Sequence, residues 1–230
     1  MTFLERKERR LKNNWKSNSL KTLIHPTYFP NIMIFATIVQ NDAIWEAQDN
    51  YQKQTYRNRC YVSTDQGKQI LSIPIKHVGG TQGRQKYKDV QIENDYKWQR
   101  QHWRTLQTAY RTSPFFEYYE DEIAPIFENE FKFLFDLNLK TIEVISDCLQ
   151  IEMAQDQTET YKVDLQSTIL DARSLVSCKK EHPFKQEAYV QVFGDRHGFI
   201  QNVSVLDLLF NEGTNTLSYL NNINLGFTNG

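Results

Sequence analysis

The segment from Thr22 to Ala47 constrains the fold most, because it predicts a strand, a helix and a second strand in direct succession. Thr22–His25 is a short run of strand-forming residues that ends at a proline. Asn31 is a suitable N-cap for a helix over residues 32–41, and Ala43–Ala47 predicts the second strand. A strand, a crossover helix and another strand form a βαβ unit. We therefore expect an α/β protein.

A β-hairpin is predicted next along the chain. Arg57–Ser63 and Gln69–Lys76 are rich in β-branched and aromatic residues, and a turn signal at Asp65-Gln66-Gly67 separates them. Because hairpin strands are antiparallel, a purely parallel sheet is not expected. Further strands are predicted at Lys88–Ile92 and Ala188–Phe193.

Helical patterns fill the middle of the chain. Apolar residues recur at helical spacing over residues 96–112 and 115–150, and Pro125 is expected to break or kink the second stretch. Ser204 and Asp207 form a capping-box pattern that opens a further short helix. The sequence therefore predicts a single α/β domain with a mixed β-sheet flanked by α-helices.

The chain consists of a basic arm and one predicted domain that contains a polar segment. Residues 1–21 form a basic N-terminal arm with seven Lys and Arg against two Glu. Residues 22–230 form the predicted domain. Within it, the stretch of about residues 155–187 is polar with few long apolar runs, and we interpret it as a variable insertion.

Charge is unevenly distributed, although the net charge of the chain is −1. Residues 51–111 hold twelve Lys and Arg against four Asp and Glu, a net of +8, whereas residues 112–230 are net acidic. A basic middle on a near-neutral chain indicates a local anion site rather than a nucleic-acid surface. Two differently charged solvated faces would give the same distribution.

Several classes of protein lose their usual sequence support. The apolar run Ile32–Val39 is too short to span a bilayer, so no membrane span is expected. The three cysteines lie far apart, which fits a reducing cytoplasm, and no spacing of His or Cys predicts a metal site. P-loop, dinucleotide-binding and α/β-hydrolase motifs do not occur in the sequence, and the cofactor stays unknown.

Separated motifs, in order along the chain, resemble the WbqC-like protein family. The motifs are HPTYFPNI (25–32), DNYQKQTYRNRCYV (49–62), LSIPIK (71–76), HWRTLQTAYRTSPFFEYYED (102–121) and NVSVLDLLFNEG (202–213). The resemblance makes residues 22–230 a WbqC-like domain. It implies a bacterial cytoplasmic role in O-antigen-like surface polysaccharide or sugar-nucleotide metabolism, and it carries no catalytic mechanism with it.

His25 is the first candidate catalytic residue. Strand ends in α/β folds face clefts, so an imidazole at the end of the first strand could act as a general base. Tyr28 lies in the proline turn that follows, and Asp49 follows the second strand at the same edge of the sheet. The alternative is a histidine that only fixes the turn by hydrogen bonds to the backbone.

The densest polar group of the chain supplies the candidate substrate-binding residues. Arg57 and Arg59 would share one face of a strand, where two guanidinium groups suit a diphosphate or a carboxylate. Asp49 and Lys53 would form an ion pair if that stretch were helical. The alternative is an exposed network of ion pairs. The predicted substrate-binding residues are Gln52, Lys53, Arg57, Asn58, Arg59 and Lys76.

Two further polar residues have structural explanations. His102 lies on the apolar face of its helix, where a lone histidine is more often a core residue than a catalyst. Asp207 is explained by helix capping.

We expect the protein to be an enzyme, a transferase that acts on a nucleotide-linked sugar. Acyl or aminoacyl transfer to an amino group fits the arginine pair and the histidine. The alternative is a non-catalytic ligand-binding or scaffold protein.

Overall fold

A computed structural model describes residues 20–76, 85–180 and 184–226. Its strands are short: β1 (Lys21–Ile24), β2 (Asp42–Trp45), β3 (Arg59–Thr64), β4 (Gly67–Ser72) and β5 (Ile169–Asp171). Its α-helices are α1 (Ile32–Gln40), α2 (Trp98–Tyr110), α3 (Phe116–Ile123), α4 (Pro125–Glu128), α5 (Leu134–Cys148), α6 (Gly194–His197), α7 (Val205–Glu212) and α8 (Thr216–Asn222). Residues 1–19 of the predicted basic arm lie outside the described residues.

A three-stranded parallel sheet positions the candidate site. Its strand order is β2-β1-β5, so β1 is the central strand. Leu23 of β1 pairs with Ile44 of β2 on one side and with Asp171 of β5 on the other. The predicted βαβ unit is confirmed, because α1 connects two parallel neighbours. The three carboxyl ends therefore meet at one edge of the sheet.

Helix α1 has no polar face, and for this reason it can be buried along most of its length. Residues 32–38 are all buried, as expected for a helix without a polar face. The predicted cap is confirmed, since the Asn31 side chain accepts a hydrogen bond from the Ile34 amide at 2.9 Å. At the other end, Gln40 donates to the backbone carbonyls of Leu220 and Ile223 and so joins α1 to the C-terminal helix.

Strands β3 and β4 form the predicted antiparallel hairpin. It turns tightly at Gly67, whose φ of +89° lies in the left-handed region that glycine tolerates. The first strand begins at Arg59 rather than at Arg57. Tyr56–Asn58 forms a 3₁₀ helix instead, because the Thr55 side chain caps it by accepting a hydrogen bond from the Arg57 amide.

The long helical stretch predicted over residues 115–150 consists of three helices, α3 to α5. Pro125 begins α4 at its first helical position, where the missing amide hydrogen costs nothing. The predicted break at this proline is therefore confirmed. The helix predicted over residues 96–112 is α2, with His102 and Leu106 on its buried face.

Some predicted strands are wrong. Residues Tyr87–Asp89 form a 3₁₀ helix, and the chain after it makes isolated bridges from Gln91 to Phe133 and from Ile92 to Ile75. Residues 188–193 form no strand. Conversely, β5 lies inside the polar stretch 155–187, in which no strand was predicted. Three residues are too few to establish an alternating pattern, and β5 forms because β1 supplies its hydrogen-bonding partner.

The α/β prediction is confirmed, with parallel pairing in one sheet and antiparallel pairing in the hairpin. The two faces of the parallel sheet have different surroundings. Ile24 and Trp45 belong to the main apolar core together with α1. Side chains alternate along a strand, so Leu23 and Ile44 lie on the opposite face. That face borders a groove whose outer wall is formed by residues 158–165.

Candidate functional site

The carboxyl ends of the three parallel strands bring polar residues together. His25 directly follows β1, Glu46 follows β2, and Arg173 lies two residues beyond β5. The Glu46 amide donates to the Ile24 carbonyl at 2.9 Å, which extends the pairing to the end of the strands. The chain leaves β1 toward β2 on one side and later returns as β5 on the other. Open α/β sheets bind ligands at this kind of reversal.

His25, Asp49 and Arg57 form a compact triangle at this edge. The Asp49 Oδ2 atom lies 2.9 Å from His25 Nε2 and 2.7 Å from Arg57 Nη2. Arg57 Nη2 also lies 2.7 Å from His25 Nε2. The His25 and Arg57 side chains are 2% and 1% exposed, whereas Asp49 is 17% exposed. Of the three, Asp49 therefore has the most contact with solvent.

The position of the proton on the His25 ring depends on the ion pair between Asp49 and Arg57. Arg57 Nη2 donates to Asp49 for either tautomer of His25. The Nε2 atom then either donates its own proton to Asp49 or accepts a second proton from Arg57. Each choice leaves one short contact without a bridging proton. The contact with Arg57 therefore favours the tautomer with an unprotonated Nε2, and the contact with Asp49 favours the tautomer with a protonated Nε2.

Burial and charge shift the protonation of all three groups. Burial lowers the pKa of His25 from 6.5 to about 4, against the opposing hydrogen bond to Asp49, so the imidazole is neutral at pH 7. Burial alone would raise the pKa of Asp49, but the hydrogen bond to His25 and the charges of His25 and Arg57 together lower it. Burial also lowers the pKa of Arg57, opposed by its electrostatic interactions with Tyr87 and Asp49. The site at neutral pH combines a neutral base with an ion pair.

Neighbouring residues fix the backbone and the guanidinium group of Arg57. The Asn138 side-chain amide donates to the Arg57 carbonyl at 2.6 Å. The guanidinium carbon of Arg57 lies 5.1 Å from the centre of the Tyr87 ring, a cation–π distance. The Tyr87 hydroxyl in turn donates to the carbonyl of Pro26, next to His25, at 2.6 Å. Helix α5 and the 3₁₀ helix at Tyr87–Asp89 thus orient the site.

Several buried hydrogen-bond donors at this edge have no acceptor among the described residues. They are Nε and Nη1 of Arg57, the hydroxyl of Tyr51 and Nε of Arg59. Burial raises the pKa of Tyr51 to about 12, and the charges of Arg57 and Arg59 act against this rise. Arg59 also has no ion pair with a described residue. Two buried acceptors beside them also lack a donor, Oδ1 of Asn58 and Oδ1 of Asn138, whose amide bonds to the Arg57 carbonyl.

The other predicted catalytic residue, Tyr28, is fully buried, and its hydroxyl bonds to Nδ1 of His102 at 3.0 Å. It therefore contacts the core histidine rather than the triangle. His102 lies in the core as predicted, and its pKa is lowered to about 4 by burial.

The remaining predicted binding residues have separate surroundings. Gln52 and Lys53 are exposed on an irregular segment. The predicted Asp49–Lys53 ion pair does not form, because that segment is not helical and Asp49 pairs with Arg57. Asn58 is buried, and its amide donates to the Ile73 carbonyl at 3.1 Å.

Lys76 is exposed, and its backbone amide donates to the Gln91 carbonyl at 2.9 Å. Arg57 and Arg59 do not share a strand face, since Arg57 precedes the strand in the 3₁₀ helix.

Sequence reasoning missed Glu46, Tyr51, Tyr87, Asn138 and Arg173. Glu46 could have been proposed as a site residue from the sequence, because it lies at the end of the predicted second strand, at the same edge as His25. Arg173 could not, since the strand before it, β5, was not predicted. Tyr87 and Asn138 reach the site through contacts distant in sequence.

The capping explanation of Asp207 is wrong. Ser204 does cap α7 by accepting from the Leu206 amide. The Asp207 side chain, however, is fully buried and accepts hydrogen bonds from the hydroxyls of Tyr110 and Tyr189, at 2.8 and 2.6 Å, and from the amide of Gln191 at 2.9 Å. These bonds connect α7 to α2 and to the segment before α6.

Two other classes of site are absent from the described ranges 20–76, 85–180 and 184–226. No group of three or more His, Cys, Asp or Glu side chains there could hold a metal ion. No helix in these ranges combines the length and the apolar character needed to cross a bilayer.

Comparison with known proteins assigns the chain to a family. The sequence profile of the WbqC-like protein family matches residues 25–183, which include His25, Asp49, Arg57 and Arg173 and end before the motif at 202–213. The uncharacterized protein Rv1507c of Mycobacterium tuberculosis is 29% identical over an alignment of 201 residues that covers 74% of this chain and 83% of that protein. No solved structure matches the chain significantly. Because the profile covers well over half of the sequence, the chain belongs to the WbqC-like protein family.

Proposed function

We propose that the protein is a cytoplasmic enzyme of bacterial surface polysaccharide synthesis that acts on a nucleotide-linked sugar. The observation that carries the proposal is the group of buried donors on Arg57, Tyr51 and Arg59 that have no acceptor. Buried polar groups are nearly always paired, so these donors support binding of a ligand that offers acceptors.

A diphosphate suits these donors by charge and by shape. Asp49 offsets the charge of Arg57, while Arg59 has no ion pair with any described residue, so an anion would find a net positive charge. Guanidinium groups bind phosphate oxygens through paired N–H donors. The Tyr51 hydroxyl, protonated at neutral pH, adds a further donor. A nucleotide-linked sugar carries its diphosphate next to the sugar, which would place the sugar near His25.

The reaction we propose is acyl or aminoacyl transfer to an amino group of the sugar. The amine nitrogen attacks the carbonyl carbon of an activated acyl ester, and a new C–N bond forms. The bond to the ester's leaving group breaks, and that group keeps the electron pair. The neutral imidazole of His25 takes the proton that the nitrogen loses, while Asp49 and Arg57 hold the ring.

Thermal shift with a panel of sugar nucleotides tests binding, since a ligand that binds only the native state raises its melting temperature. We expect uridine, thymidine or guanosine diphosphate sugars to raise it more than the matching nucleosides do. Arg59→Gln should weaken this binding by about 1–3 kcal/mol, or roughly 5- to 150-fold. Arg100→Gln is the matched control, because Arg100 lies on an exposed position of α2. No shift across the panel, or equal loss in both variants, would contradict the proposal.

A non-catalytic ligand-binding protein is the second candidate, and the 2% exposure of His25 favours it. His25→Asn separates the two. If the histidine is the base, the variant should keep ligand affinity and lose turnover. If the protein only binds, the cluster serves stability, the variant should unfold more easily, and neither the variant nor the parent protein should turn over the bound sugar.

A further inference from the structure

A groove of about 290 Å³ lies on the face of the parallel sheet that points away from the main core. Its floor is aliphatic, formed by Leu23, Ile44 and Ile169 from the three strands. Parallel sheets are normally covered on both faces, whereas here the wall opposite the floor is the polar segment 158–165. The groove is of a size that holds a small molecule.

Glu46 lines this groove at the carboxyl end of β2, and its side chain is fully buried. One oxygen, Oε1, accepts hydrogen bonds from the Gln48 amide and the Thr158 hydroxyl, both at 2.8 Å. The other oxygen, Oε2, has no hydrogen-bond partner. A buried carboxylate oxygen without a hydrogen bond is costly, so a donor on a bound molecule would stabilise it.

Arg173 offsets the charge of Glu46 but donates no hydrogen bond to its Oε2 atom. Its Nη1 atom lies 3.7 Å from Oε2, too far for a hydrogen bond. Its donors go elsewhere: Nε and Nη2 to Asp171 at 2.9 and 2.6 Å, and Nη1 to the Lys162 carbonyl at 2.7 Å. Arg173 therefore fastens the outer wall of the groove to the end of β5.

Arg173 links the groove to the histidine cluster. Its Nη1 atom lies 3.7 Å from Oε2 of Glu46, which lines the groove. The backbone of Arg173 also interacts with the His25 ring. A molecule in the groove would thus have its end near Glu46, and Arg173 would separate it from His25.

The geometry points to a subsite for the amino group of the acceptor, a small amine-bearing sugar whose N–H donates to Glu46 Oε2. This inference rests on the proposed function and names the part of the substrate that the diphosphate site does not hold. The apolar face of the sugar ring would lie on Leu23, Ile44 and Ile169. Thr158 and Thr160 at the wall would meet its hydroxyl groups.

Saturation-transfer NMR with free monosaccharides tests this subsite. The probes are glucosamine, N-acetylglucosamine and glucose, each titrated to about 50 mM because fragments of this size bind weakly. Glucosamine should bind at least about tenfold more tightly than the other two, since it alone presents the amine. Equal binding of the three sugars, or no signal from glucosamine, would overturn the inference.

Two variants and a control test whether glucosamine binds in the groove. Glu46→Gln should lower glucosamine affinity by about tenfold or more. Leu165→Trp should block the groove from its half-buried wall, which keeps the test decisive if the buried Glu46 variant fails to fold. Val163→Trp is the matched control, because Val163 is 74% exposed and does not line the groove. Unchanged affinity in Leu165→Trp would overturn the inference.

Binding of uridine diphosphate, measured on the same samples, keeps the two proposals apart. Uridine diphosphate should bind all three variants as it binds the parent protein, since none of them changes Arg57, Tyr51 or Arg59. If it binds while glucosamine does not, the subsite is wrong and the diphosphate site stands. If glucosamine binds through Glu46 while uridine diphosphate does not, the proposed diphosphate site is wrong.

Discussion

The Tyr28 hydroxyl lies 3.0 Å from Nδ1 of His102, although the two residues are 74 positions apart in the sequence. Both side chains are buried. Burial lowers the pKa of His102 to about 4 and raises that of Tyr28, so a neutral tyrosine donates to a neutral imidazole. The bond joins the proline turn after β1 to helix α2. The turn that carries His25 is thus held by α2 on one side and by Arg57 on the other.

Tyr28→Phe should destabilise the fold by about 1–3 kcal/mol, because it leaves the buried Nδ1 of His102 without a donor. Urea unfolding monitored by circular dichroism measures the change. Tyr118→Phe is the control, since Tyr118 is 78% exposed, and it should leave stability unchanged. Equal stability of the two variants would show that the Tyr28–His102 bond contributes nothing.

Acidification should destabilise the protein through its two buried histidines. The pKa of both His25 and His102 falls from 6.5 to about 4 on folding, so between these values the unfolded chain binds more protons than the folded one. Stability is therefore complete above pH 6.5 and declines as the pH falls toward 4, by roughly 3 kcal/mol for each histidine.

Free energies of unfolding from urea titrations at pH 7, 6, 5 and 4.5 test this decline. His102→Gln should reduce the slope against pH by about half, whatever it does to the stability at pH 7. A flat profile in the parent protein, or an unchanged slope in the variant, would contradict the assignment.

Gly213→Ala should destabilise the protein by about 2 kcal/mol or more. Gly213 ends α7 with a φ of +55°, and a Cβ atom placed there would lie 2.5 Å from Cδ1 of Phe115. Gly194→Ala is the matched control, because its Cβ would meet no atom within 4 Å. We expect the control to lie within about 0.5 kcal/mol of the parent protein in thermal unfolding.

Asp207→Ala should cost about 3 kcal/mol or more, since it removes the acceptor of three buried donors on Tyr110, Tyr189 and Gln191. Asp195→Ala at an exposed position is the control. Limited proteolysis should also cut the segment around Tyr189 faster in the Asp207 variant. If both variants were equally stable and equally resistant, Asp207 would not anchor this segment.

Local signals in the sequence were sufficient to predict β1, the helix α1 and β2. The Asn31 cap, the apolar run after it and the two flanking strands each reflect interactions within a few residues, and the structure shows all of them. The strand β5 could not be predicted in this way. Its three residues gain their stability from pairing with β1, which lies far away in sequence.

In the candidate site, too, the residues that follow predicted strands could be placed from the sequence, whereas those that depend on distant contacts could not. That His25 and Asp49 would meet followed from the parallel strands, because each comes after a strand that ends at the same edge. Arg57 was expected on a strand with Arg59, since its neighbours resemble a strand. It turns inward instead, because Thr55 caps a 3₁₀ helix there and Asp49 supplies the opposite charge. The partner of Tyr28 could not be inferred from any local pattern.

The position of β5 sets an order for folding during synthesis. β1 can pair with β2 once Trp45 has left the ribosome, but its other edge stays unpaired until Ile169 follows, about 124 positions later. At about 5–20 residues per second this delay lasts roughly 6–25 s. During that time the central strand offers an open edge to other chains. A nascent chain whose residue 169 has not yet left the ribosome should therefore be a preferred chaperone client, whereas one whose residue 173 has left it can complete its sheet.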